Sequence, residues 1–191
     1  MTGTIESMGE MCGCEASAVC APQPFEMSRA FAAPRELLWK AWSERARLMA
    51  WFGPRGFKMP AAKMDFRRGG SFHYCLAAPD GSEAWGKFLF REIVVAEKIV
   101  FLNYFSDEVG GITRHPSSAT WPLAVLCTIT FTGDQRGTVV TAHSFPVNAS
   151  AEEGKTFADA RDVMKQSWSE MFDQLAAHVA NMQADEISGN F

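Results

Sequence analysis

Between Ser150 and Gln183 the large apolar residues fall at Phe157, Met164, Trp168, Met171, Phe172, Leu175, Val179 and Met182. Nearly every step between them is three, four or seven residues, which puts them on one face of an α-helix. The spacing predicts one long amphipathic helix over 150–183. Ser150 followed by Glu153 is a capping-box pattern, and Glu152 and Glu153 suit the positive end of the helix dipole. Gly154 is a poor helix former, so a start a few positions later is also compatible with the pattern.

Upstream the pattern is mostly that of strands. Phe25 to Phe31 reads as a first strand. Pro34 and Glu36 then open a helix whose stripe is Leu37, Leu38, Ala41 and Trp42. A second short helix over Glu44 to Met49 ends at Trp51-Phe52-Gly53-Pro54, where Gly and Pro stop it. Phe57 to Asp65 is the next strand, with Pro60 marking an edge or a bulge. After the Arg67-to-Gly70 turn, Ser71 to Leu76 alternates: Phe72, Tyr74 and Leu76 take one side, His73 and Cys75 the other. Pro79-Asp80-Gly81 is a hairpin turn. Trp85 to Val95 and Lys98 to Phe105 follow, joined at Ala96-Glu97, and the three runs form an antiparallel meander. Phe101, Asn103 and Phe105 share a face. Ser106 to Pro122 has no period and is long enough for a lid or binding loop, or for an insertion without chemistry. Leu123 to Thr132 and Gly137 to Phe145 complete the strands. Residues 1–22 read as a flexible leader and 184–191 as a tail, leaving one domain over 23–183. The expected fold is α+β: an antiparallel sheet of about six to seven strands wrapped around a long C-terminal helix, with two short helices after the first strand. No βαβ alternation supports a parallel sheet.

Composition narrows the partners. The net charge is −4 with no long Lys/Arg run, which removes the electrostatic footprint of a nucleic-acid binder. No apolar run approaches the roughly 20 residues needed to span a bilayer. Met1 to Glu10 lack the order of a signal peptide, so the reading is a soluble cytoplasmic protein. Phe (15) and Met (10) are plentiful while Tyr is scarce (2), which suits either the walls of an apolar cavity or a plain Phe-rich core. Five cysteines without an export signal argue against a disulfide framework. Cys12, Cys14 and Cys20 in the leader do not match a usual zinc spacing, and an unstructured tail is the preferred reading.

Several local signatures occur together and in order. They are Arg29-Ala30-Phe31-Ala32-Ala33-Pro34 leading into Leu38-Trp39, then Leu48 to Pro54 with Trp51, Gly53 and Pro54. Asp65-Phe66-Arg67-Arg68-Gly69-Gly70 and Pro79-Asp80-Gly81 follow. Gly86, Arg91-Glu92-Ile93, Glu97-Lys98-Ile99-Val100, Gly137-Thr138, Met164 and Trp168 complete the set. Over residues 24–181 the chain resembles the START-like (Bet v I-like, SRPBCC) superfamily. Within it the chain is similar to the bacterial stand-alone form of the domain named for the activator of heat-shock protein 90 ATPase. Val95-Ala96 stands where that family usually has a Pro pair, and Ser167 where Gly usually precedes the Trp. The resemblance implies a helix-grip fold, a curved antiparallel sheet gripping the C-terminal helix, often with an apolar cavity between them. Fold membership does not decide function.

The chemistry-bearing residues are few. There is no Gly-x-Ser-x-Gly and no His-x-x-x-His pair, and Gly69-Gly70 is a turn, not a phosphate loop. No catalytic residue, metal ligand or cofactor motif emerges, so the reading favours binding over catalysis. The expected ligand site is the cavity lined by Phe72, Tyr74, Trp85, Phe88, Phe90, Phe101, Phe105, Met164, Trp168, Met171 and Phe172. Trp51 and Phe52, adjacent at the helix exit, either plug one end of the core or form the lip of this pocket, and Trp121 in the long loop joins the site. Asn103, set among Phe101 and Phe105, is placed to orient a ligand carbonyl or to bond the backbone. Arg114 and His115 are candidates to clamp an anionic head group over the mouth. The leading function is binding of a small hydrophobic or aromatic ligand. The alternatives are a chaperone-associated interaction domain and a cyclase- or hydrolase-like enzyme on the same cavity.

Overall fold

The computed structural model describes residues 24–133 and 136–188, so the leader with Cys12, Cys14 and Cys20 lies outside the described residues. The elements run β1 (Phe25–Phe31), α1 (Arg35–Ser43), α2 (Arg45–Trp51), β2 (Lys58–Met64), β3 (Ser71–Ala77), β4 (Glu83–Val94), β5 (Lys98–Ser106), β6 (Ile112–Thr113), β7 (Val125–Gly133), β8 (Thr138–Pro146), α3 (Ala151–Asp159) and α4 (Arg161–Ser188). The sheet has eight strands in the order β1-β8-β7-β5-β4-β3-β2, with the two-residue β6 on the side of β5. All pairings are antiparallel. This is the helix-grip arrangement that the pattern predicts. β2 is an edge strand, and its register slips between Lys58 and Ala61, at Pro60, which cannot donate to a ladder.

The period-two alternation sorts every strand into an inner and an outer face. Inner positions are Phe72 and Tyr74 on β3, Gly86, Phe88 and Phe90 on β4, and Phe101, Asn103 and Phe105 on β5. β7 adds Val125, Cys127, Ile129 and Phe131, and β8 adds Val140, Ala142 and Ser144. Most of these are buried in one continuous core. The rings interlock. Phe88 stacks on Phe101 at 4.1 Å, Phe72 on Tyr74 at 5.0 Å, and Phe90 meets Phe66 edge-on at 5.0 Å. α4 closes the inner side with Phe172, Leu175, Val179 and Met182, all buried.

Two helix boundaries differ from the sequence expectation. The predicted single helix is broken at Ala160, which caps α3 with ψ near 4° before α4 begins. The steps of three and four hold within α4, but the seven-residue step from Phe157 to Met164 crosses the break. Phe157 is drawn towards Trp121 in the long loop (5.6 Å), whereas Phe172 seats on Phe31 of β1 (5.7 Å). One straight helix cannot aim both rings. At the other end α4 continues to Ser188, through residues 184–188 that the sequence reading assigned to a tail. The capping box is present in full: Glu153 N–H donates to Ser150 Oγ (3.2 Å) and Ser150 N–H to Glu153 Oε2 (2.8 Å).

The turn between β4 and β5 carries a backbone cost. Ala96 sits at φ 59°, in the left-handed region where a Cβ is unfavourable by about 1–2 kcal/mol. Ala96→Gly should therefore raise stability, by about 0.5–1 kcal/mol after the larger unfolded-state entropy of Gly is counted. A urea midpoint higher than wild type is the expected result, and Ala96→Val should move it the opposite way.

Candidate functional site

Three residues in register, Tyr74, Gly86 and Phe105, cross the inner faces of β3, β4 and β5. Gly86 has no side chain, and its neighbours on the same face of β4 are Ala84 and Phe88. A Cβ built there would lie 2.5 Å from both Cζ and Oη of Tyr74, so the glycine is what lets the Tyr74 ring lie across β4. A hollow of about 70 Å³ remains beside it, bordered by Tyr74, Leu76, Ala84, Trp85, Gly86, Asn103, Tyr104 and Phe105. None of these side chains is charged.

Two polar groups face this apolar space. Asn103 lies between Phe101 and Phe105 on β5 and opposite Phe88 on β4, and its amide bonds to no described residue. The Tyr74 hydroxyl likewise has no partner among the described residues. Burial of the ring, followed by the nearby Cys127, pushes the Tyr74 pKa well above its ordinary value, so the phenol stays protonated. Cys127 is itself raised to about 11 by burial and accepts a hydrogen bond from Ser144 Oγ at 3.4 Å. Burial and the Glu83 carboxylate push the Cys75 thiol up as well. Neither thiol is a thiolate at neutral pH, which removes both as ready nucleophiles. No group of three or more His, Cys, Asp or Glu suited to a metal ion occurs among the described residues.

The long loop over 107–124 lies against the end of the hollow. A chain of rings runs from Phe105 to His115 (4.5 Å), on to Trp121 (5.9 Å) and then to Phe157 of α3 (5.6 Å). Thr156 Oγ1 donates to Thr120 Oγ1 at 2.9 Å, and Arg114 forms an ion pair with Glu153. On the outer face Lys87 Nζ donates to the Gly110 carbonyl at 2.7 Å, and His73 Nε2 lies 3.0 Å from the Asp107 carbonyl. The loop is thus a strap tied to both sides of the sheet end.

These ties correct the expected anion clamp. The Arg114 guanidinium is engaged by Glu153 and reaches the Trp121 carbonyl (3.4 Å), so its charge is already matched. His115 is packed between aromatic rings, and burial lowers its pKa, which keeps the imidazole neutral. Its Nδ1 accepts from Ser117 N–H at 3.0 Å, which leaves the proton on Nε2.

Trp85 borders the hollow without sharing the inner wall. It belongs to the outer face, one residue out of phase with Phe88 and Phe90, and stacks on His73 at 4.9 Å. Trp51 is fully buried in the helix layer, with Nε1 donating to the Ala41 carbonyl (2.9 Å), and plugs the core instead of forming a lip. Phe72, Phe88, Phe90, Phe101 and Phe172 are solid core. Met164, Trp168 and Met171 on α4 are only half-buried against it. Phe52, the neighbour of Trp51 at the helix exit, meets Tyr74 (5.6 Å) and Phe88 (5.4 Å) edge-on, and sequence reasoning missed the role of Gly86. A glycine inside an aromatic strand was the available signal for that role.

The comparisons with known proteins agree with this architecture. The sequence profile of the family described as "Activator of Hsp90 ATPase homolog 1-like protein" matches residues 32–180. The chain belongs to this family. Among solved structures it is similar to a protein of Mycobacterium smegmatis, with 24% identity and a TM-score of 0.66 over 82% of this chain and 90% of that one. A Nitrosomonas europaea protein gives 19% identity and a TM-score of 0.69 over 86% of this chain and 98% of that one. The AHSA1 protein of Silicibacter pomeroyi gives 15% and 0.64 over 84% and 99%. No curated protein matches the chain. At these identities the solved structures bear on the fold alone.

Within this Hsp90-activator-like fold two features of the site can be checked by mutation. Gly86→Ala should force the Tyr74 ring aside and cost about 1–3 kcal/mol. In the Tyr74→Leu background the same change should cost clearly less, a non-additivity that a double-mutant cycle in urea would read. Glu153 is held below its ordinary pKa of 4.5, first by the hydrogen bond from Arg114 and then by Ser150 N–H. A depressed carboxylate pKa stabilises the fold above the unfolded value, and the effect is lost as pH falls through the folded value. Glu153→Gln should therefore lower Tm at pH 7, and the gap to wild type should narrow as the pH is taken down through the depressed carboxylate pKa.

Proposed function

We propose that the protein binds a small hydrophobic or aromatic ligand at the inner face of the sheet, with one end of the ligand in the hollow between β3, β4 and β5. The observation that carries this reading is the pair of unpartnered polar groups, the Asn103 amide and the Tyr74 hydroxyl, facing an apolar space. Ligand sites place a few polar groups among apolar walls to fix orientation, and a ligand reaching these two would supply the partner that each lacks among the described residues. The hollow of about 70 Å³ is small beside the roughly 300–1,000 Å³ of a site that engulfs a drug-sized ligand. It suits the end of a ligand whose remainder lies under the half-buried Met164, Trp168 and Met171. Flexible methionines re-pack at low cost around varied partners.

The test is titration with Nile red, an uncharged dye whose emission reports an apolar environment. Saturable one-to-one binding is expected. Asn103→Phe and Ala84→Phe, each filling the hollow, should abolish it while circular dichroism stays native. A filled variant that retains its fold and binds the dye as wild type does would remove the site from this place.

A further inference from the structure

We infer that the hollow selects an uncharged ligand presenting a hydrogen-bond acceptor, of the aromatic ketone or ester class, and rejects the matching carboxylate. The inference rests on the ligand-binding reading above and goes beyond it by naming the chemistry recognised.

Two neutral groups on the inner face border the space, and a third stands behind Phe105. The Tyr74 ring lies across Gly86 with its hydroxyl towards β5, where Asn103 and Phe105 stand in adjacent inner positions. The phenol is protonated and supplies an O–H donor. The Asn103 amide supplies two N–H donors and one acceptor. His115, with its ring on Phe105, carries its proton on Nε2 and is a further donor at the strap side. Donors outnumber acceptors, and one carbonyl oxygen has two lone pairs to receive two of them.

The two cations that tie down the strap are both committed. Arg114 is paired with Glu153, and Lys87, on the outer face, donates to the Gly110 carbonyl. Among the residues bordering the hollow none is charged. A carboxylate brought here would lose its water without gaining a cation, a desolvation cost that a few neutral donors in an apolar wall offset only in part. An ammonium would fare no better, because no free carboxylate borders the space. A pure hydrocarbon would fit, but would leave Asn103 and Tyr74 unpaired.

The experiment is competition against bound Nile red, at pH 8, with three naphthalenes of similar size: acetylnaphthalene, ethylnaphthalene and naphthoate. The ketone should displace the dye at concentrations about tenfold lower than either of the others, the ratio expected for one net hydrogen bond of about 1.4 kcal/mol. In Asn103→Leu the ketone should fall to the level of ethylnaphthalene, while ethylnaphthalene itself binds as well as before or better. Tyr74→Phe, which keeps the ring, should reduce the ketone's advantage in the same direction. Naphthoate equal to the ketone, or a ketone no better than the hydrocarbon, would overturn the inference while leaving ligand binding in place. Absence of dye binding altogether would remove both.

Discussion

One helix has to cover one face of an eight-stranded sheet, and it is too narrow to do so. An α-helix with side chains is roughly 10–12 Å across, whereas the path from β1 to β2 has six strand spacings of about 4.8 Å, a sheet some 29 Å wide before curvature. The rest of the chain is arranged around that mismatch. The sheet bends towards the helix. α1 and α2 fill the flank next to β2, where Trp42 meets Trp51 at 4.8 Å and Trp168 at 6.4 Å. At the end where β5 and β7 part company, α3 and the 107–124 strap supply the missing cover. The hollow lies next to this patchwork, with Phe105 at its border touching His115 of the strap.

The position of α4 is set near its middle. Asp173 accepts from Arg29 on β1 at 2.5 Å and from Arg55 beyond α2 at 3.5 Å, and Gln174 donates to the Gly53 carbonyl at 2.7 Å. These exposed ion pairs are worth little in stability, but they select one placement of the helix between the edge strand and the α2 exit. From there the C-terminal half carries Phe172, Leu175, Val179 and Met182 into the core. The N-terminal half, with Met164, Trp168 and Met171, only rests on it. The same helix is therefore a structural keystone at one end and a loose cover at the other.

Much of this was legible in the chain. The 3.6-residue period, the capping box, the Pro60 interruption and the alternation on β3 and β5 come from local steric and hydrogen-bonding rules, so neighbouring residues determine them. Asn103 could be placed on the same face as Phe101 and Phe105 for that reason. Trp85 reaches the border of the hollow from the other face than Phe88 and Phe90, because a strand inverts its side chains at every step. Arg114 and His115 read as free because nothing local announces that Glu153, far along the chain, will take up the arginine, or that rings will enclose the histidine.

The sequence by itself determined the class of fold, the element order and the apolar stock from which a site could be made, because periodicity and capping act over a few residues. Only the tertiary structure decided that the C-terminal helix is two helices, that the strap ties to α3, and that Gly86 makes room for Tyr74 beside Asn103. Those outcomes depend on which distant surfaces meet. Burial, which holds Tyr74 protonated and His115 neutral, is a property of that meeting and of no single residue.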